Sequence, residues 1–201
     1  MTDDPKVLAN RLLQRAWNRD GLPEIGIGLF SLMAAGLIYA QEVLPRRTPG
    51  WVAAILAFSF GLPVVSFSMW SLVKRVRSRW LVERAGYVEY LPPENRKRNN
   101  VRALAVMAVV LPLTFLAFNH SERLLLPITG ALGALLAGAI GWSARMVRLM
   151  AGGALMLVAA LLLALSTVPV QIAMAILFGS QGLYYLLTGG VVFVRFMTHE
   201  R

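Results

Sequence analysis

Six apolar runs leave this chain few ways to fold. They cover about residues 24–43, 51–73, 101–118, 124–142, 149–166 and 170–196. A helix rises about 1.5 Å per residue, so about 20 apolar residues match a hydrocarbon core roughly 30 Å thick. Backbone groups in lipid must be satisfied within their own segment, and for runs this long that selects helices. The expected fold is therefore all-α and membrane-embedded: six transmembrane helices in three hairpins, forming one integral membrane domain over 1–201. A four-span arrangement would need two of the runs to be re-entrant.

Composition agrees. The chain is 57% hydrophobic and only 15% charged, with a mean hydropathy of +0.62, whereas water-soluble domains carry about a quarter charged residues. It contains no cysteine, so disulfides, thiolate chemistry, cysteine-held metals and lipoprotein acylation fall away. No cofactor or metal is expected. The first apolar run follows a segment of mixed charge without a cleavage-site pattern, and is expected to stay as a signal anchor. Pro45, Pro49 and Gly50 break the chain after the first run, and Pro63 and Pro112 lie inside the second and third, where a kink is expected. The sixth run is longer than an upright helix needs. It is expected to tilt, to emerge at its end, or to break at 179–182.

Charge decides which way such a protein faces. The segment 74–102 holds nine of the twenty Lys/Arg residues: Lys74, Arg75, Arg77, Arg79, Arg84, Arg96, Lys97, Arg98 and Arg102. With the N-terminus inside, seventeen of the twenty lie on the cytoplasmic side, and only Arg46, Arg47 and Arg123 lie outside. That is the asymmetry of a multi-pass protein in a bacterial plasma membrane with both termini cytoplasmic. The net charge of +10 is read as this topology signal and not as a nucleic-acid surface. Residues 4–19 place Val7, Leu8, Leu12, Leu13, Ala16 and Trp17 on one helical stripe among basic residues, the pattern of an amphipathic interfacial helix. In the basic cytoplasmic loop, 74–100, the alternating stretch 80–91 predicts a short β-hairpin turning near Ala85 and Gly86.

Two spans carry motifs. In the fourth, Gly130, Ala134 and Gly138 form one small-residue ladder, and Gly133, Ala137 and Gly141 form another. Such ladders let helix backbones approach closely, and are expected to pack the span on its neighbours or, in a second reading, on another copy of the chain. In the sixth, Gln181, Tyr184 and Tyr185 belong to the densest polar set inside any span. They serve either as interhelical hydrogen-bonding groups or as a polar path for a solute, since polar broken helices mark transporter sites.

The remaining candidates surround the first span. Its entry reads Arg19-Asp20-Gly21-Leu22-Pro23-Glu24-Ile25-Gly26-Ile27-Gly28, and the segment after the second span reads Arg84-Ala85-Gly86-Tyr87-Val88-Glu89-Tyr90. In these two short motifs the first half of the chain resembles a group of small, uncharacterised bacterial membrane proteins. The resemblance implies no activity. It suggests a structural ion pair in which Asp20 or Glu24 meets an arginine from 75–84, with Arg84 the first candidate. Of the two histidines, His120 and His199 fall on opposite sides of the membrane by this topology, and no metalloprotease, nucleophile-elbow or phosphate-loop motif is present. The expected function is non-enzymatic: an accessory or scaffold subunit. Its basic loop (Arg75, Arg77, Arg79, Arg96, Lys97, Arg98) would contact membrane lipid or a protein partner. The alternative is a small transporter or channel built on the sixth span.

Overall fold

Glycine and proline mark where helices begin in this protein. The computed structural model describes residues 20–76, 122–144 and 146–199; among these every regular element is helical and none is a strand. Helix α1, Leu22–Val43, starts at Gly21, whose φ of +72° is open to glycine at little cost. Pro23 sits in the first turn, where a missing N–H breaks no helical bond. After a turn at 44–48, α2 (Pro49–Leu56) is capped by Thr48, whose hydroxyl accepts from the Trp51 N–H at 3.3 Å.

The helix then runs on through a π turn, Ala57–Gly61, into α3, Leu62–Val76. In the π turn the Leu62 N–H donates to the Ala57 carbonyl, five residues back. The irregularity expected at Pro63 thus takes the form of a wide turn immediately before it. Proline removes the donor that the carbonyl four residues earlier would use, and a π turn absorbs that mismatch without ending the helix.

The second half is simpler. A 3₁₀ turn, Glu122–Leu124, leads into α4, Leu125–Ala144; then come α5, Val147–Leu165, and α6, Val170–His199. The α4–α5 turn is tight, with the Met146 N–H donating to the Gly141 carbonyl at 2.7 Å. Helix α6 is unbroken through Gly179–Gly182, which leaves tilt and an emergent end as the alternatives for its length. Among the described residues, four helical segments are long and apolar enough to cross a membrane: Leu22–Val43, Glu122–Trp142, Val147–Leu165 and Val170–Thr198. They are the segments of a membrane-embedded protein. The apolar part of the helix at Pro49–Gly61 is shorter. The interfacial helix at 4–19, the hairpin at 80–91, the third run at 101–118, His120 and the residues Arg77, Arg79, Arg84, Arg96, Lys97 and Arg98 lie outside the described residues.

These helices associate as two pairs. Helix α1 packs along α6, and α4 packs along α5; a narrower α5–α6 contact joins the pairs. Both pairs are antiparallel and close on bare backbone. In the first, Gly21 meets Gly189, Gly28 meets Gly182, and Ala35 stands 3.7 Å from where a side chain on Gly179 would begin. Gly21, Gly28 and Ala35 repeat every seven residues, as do Gly182 and Gly189, so one face of each helix stays against the other. In the second pair, Gly130 is covered by Ala160, Gly133 by Met156 and Gly141 by Met150, while Gly153 faces Ala134 and Ala137. Three of the four glycines singled out in the fourth run therefore pack within the chain. Gly138 faces open space among the described residues.

One end of the molecule, where α1 and α5 begin and α6 nears its close, is called the near end below. At the far end α5 turns into α6 around an apolar cluster of Leu126, Met156, Ala160, Ala173 and Leu177. Arg123 donates to the Ser166 carbonyl there at 2.8 Å, placing positive charge on the carbonyl end of α5, where it is stabilising.

Candidate functional site

The buried polar side chains of the described residues concentrate at the near end, where three helices converge. Glu24 stands in the first turn of α1 and is fully buried, at 0% exposure. Its burial follows from the glycine contact beside it: a side chain on Gly189 would begin 2.9 Å from the Glu24 Cβ, so α6 lies directly over the residue. A carboxylate taken out of water costs several kcal/mol unless charge or hydrogen bonds compensate it. The compensation includes Arg148, in the first turn of α5, whose Nη2 lies 3.3 Å from the Glu24 Oε1. The Arg148 side chain remains 31% exposed, so the pair has one dry member and one that reaches the surface.

Arg148 is also held through its backbone. The Tyr184 hydroxyl donates to the Arg148 carbonyl at 3.0 Å, and the buried Tyr185 hydroxyl donates to the Leu149 carbonyl at 3.4 Å. The two rings meet edge to face, with centroids 5.3 Å apart. They rest on the bare backbone of Gly152, where an added Cβ would come within 2.7 Å of Tyr185 and 2.8 Å of Tyr184. Gln181, buried one turn earlier on α6, stands beside Tyr185. Met146 and Leu149 close an apolar floor around the Tyr185 ring.

Asp20 is buried as well, and accepts from the Leu22 N–H at 3.1 Å. It thereby satisfies one of the free donors that begin a helix, at the end where negative charge is favoured. The two carboxylates of the first-span entry thus have different tasks. Asp20 shapes the start of α1, and Glu24 reaches across to α5.

The ion pair expected at this entry drew its arginine from 75–84, of which 77–84 lie outside the described residues. Among the described residues Arg148, just before the fifth run, pairs with Glu24. Arg84 lies outside the described residues, and Arg75 is exposed on α3. Gln181, Tyr184 and Tyr185 do come together, and the hydroxyls of both tyrosines are directed onto backbone carbonyls of α5. Arg148 and Gly152 were the residues missed. Gly152 and Gly153 form the one glycine pair in the fifth run, a signal that some neighbour approaches the backbone there.

Comparison with protein-family models, with curated proteins and with solved structures finds no match.

Proposed function

We propose that this chain is a non-enzymatic, six-span accessory or scaffold subunit of a bacterial plasma membrane. In this reading both termini and the near end face the cytoplasm. The basic loop, 74–100, is then the working surface, and it contacts anionic lipid or a protein partner. One observation carries the reading: the polar groups buried at the near end fasten helices to one another. Glu24 holds Arg148, and Tyr184 and Tyr185 hold the first turn of α5. Side chains committed in this way brace a bundle. A solute path would instead leave polar atoms turned toward a passage.

The charge distribution supports the same surface. A basic segment gains about 1 kcal/mol per Lys or Arg beside an anionic leaflet, so Arg96, Lys97 and Arg98 together supply about 3 kcal/mol, a change of more than a hundredfold in affinity.

The test uses the intact protein extracted gently from its membrane. Retained phosphatidylglycerol is read by native mass spectrometry, and stoichiometric partner proteins by pull-down. The Arg96→Gln, Lys97→Gln, Arg98→Gln variant should lose one of the two. If both persist unchanged, the loop is a topology signal only. Flux through reconstituted vesicles that falls in Gln181→Ala would move the reading to a small transporter.

A further inference from the structure

The two helix pairs are built very differently from the seam that joins them. Within each pair, backbones touch: a Cβ on Gly28 or Gly182 would lie 2.9 Å from the carbonyl oxygen of the other, and one on Gly153 would lie 3.1 Å from the Ala134 oxygen. Close-packed backbone does not slide without opening voids, so α1 with α6 and α4 with α5 each behave as one body. The seam between the bodies is held in two unlike ways. Its far end is closed by the short chain turn at 166–169, the apolar cluster around Leu177, and the bond from Arg123 to Ser166. Its near end carries, above the apolar floor of Met146 and Leu149, directional contacts that include the Glu24–Arg148 pair and two tyrosine hydroxyls on α5 carbonyls.

We propose that the near end is a latch, and that the α4–α5 pair swings away from the α1–α6 pair about the far end when the latch is released. Directional polar contacts are lost over a small displacement, whereas the covalent turn between α5 and α6 holds the far end of the two bodies in register. Arg148 is the release point, because it alone of the ion pair reaches solvent, where water or an anion can replace the carboxylate. Gly152 is the seat of the latch, since the two tyrosine rings occupy the space a side chain there would fill. A packed interface with two discrete arrangements is the usual basis of hinge motion in proteins. The inference concerns the mechanics of the bundle and stands apart from the role proposed for the basic loop.

The absence of cysteine from the sequence makes the test direct. Spin labels are placed on cysteines at Val147 and Val194 to span the near end, and in a second preparation at Val43 and Leu165 to span the far end; all four side chains are exposed. Distances are read by electron–electron resonance in lipid nanodiscs. Two unrelated changes release the latch: Glu24→Gln with Tyr184→Phe and Tyr185→Phe, which preserves shape, and Gly152→Val, which wedges the rings outward and preserves every charge. Each should shift the 147–194 distances to longer values and leave the 43–165 distances as they were. If the near-end distances do not move in either variant, or if both ends loosen alike, the latch is overturned.

Discussion

Gly28 of α1 and Gly182 of α6 face each other reciprocally: a Cβ on either would fall 2.9 Å from the other's carbonyl oxygen. Neither backbone can recede without parting the helices. Gly28→Ala and Gly182→Ala should therefore each destabilise the protein by about 1–3 kcal/mol, the cost of overpacking a close contact. Gly21→Ala should cost more, because it adds strain at positive φ to a collision with Gly189. Gly138→Ala is the control. It meets open space among the described residues, and should leave stability unchanged or raise it by up to about 1 kcal/mol through helix propensity. Unfolding in mixed micelles ranks the four.

The tyrosine pair gives a second ranking. Tyr184→Phe and Tyr185→Phe each delete one hydroxyl bonded to an α5 carbonyl. Hydrogen bonds between membrane helices are worth about 0.6 kcal/mol on average, so each variant should lose about that much. If these groups fasten helices, the loss appears in unfolding and in no transport assay. A variant of full stability that alters solute flux would count against the bracing role.

At the far end, the Arg123→Gln variant should lower stability by about 0.3–1 kcal/mol at low ionic strength, through loss of positive charge at the carbonyl terminus of α5. Arg123 is exposed, so the difference from the parent protein should shrink as salt is added. A salt-independent difference would show that charge is not the cause. Chemical unfolding at two ionic strengths separates the cases.

Orientation is tested by single cysteines in this cysteine-free chain. In intact spheroplasts, a membrane-impermeant maleimide should label Arg46→Cys, and should label Lys97→Cys only after lysis. The reverse pattern would invert the topology and move the basic loop to the outer face.

The described helices and their approximate limits were legible because runs of apolar residues near 20 in length, bounded by Pro and Gly, have a single physical outlet in lipid. The fate of Gly130, Gly133 and Gly141 was legible for the same kind of reason: a small-residue ladder seeks a backbone, and α5 is the next in the chain. The pairing of α1 with α6 was not foreseen, although its signal was present in the seven-residue repeat of Gly21, Gly28 and Ala35 and the matching interval between Gly182 and Gly189. Glycines in the sixth run were read as places to unwind, yet in lipid a glycine is at least as useful for close approach. Arg148 escaped notice because the partner of a buried carboxylate depends on which helices become neighbours, and no local pattern around Glu24 encodes that. Lateral arrangement was the part of the fold that periodicity could not supply.

The claim on which the account rests is that Glu24 and Arg148 hold each other across α1 and α5. Arg148→Ala removes an ion-pair partner from a fully buried carboxylate, and should cost up to about 3–5 kcal/mol; Glu24→Ala leaves a cation that reaches water, and should cost less. The most direct measurement is the double-mutant cycle, built from Glu24→Ala, Arg148→Ala and the pair together, with each unfolding free energy read in the same lipid–detergent mixture. The account predicts a coupling energy of at least about 1 kcal/mol, with the double variant more stable than the sum of the single losses allows. Strict additivity of the two losses would contradict it.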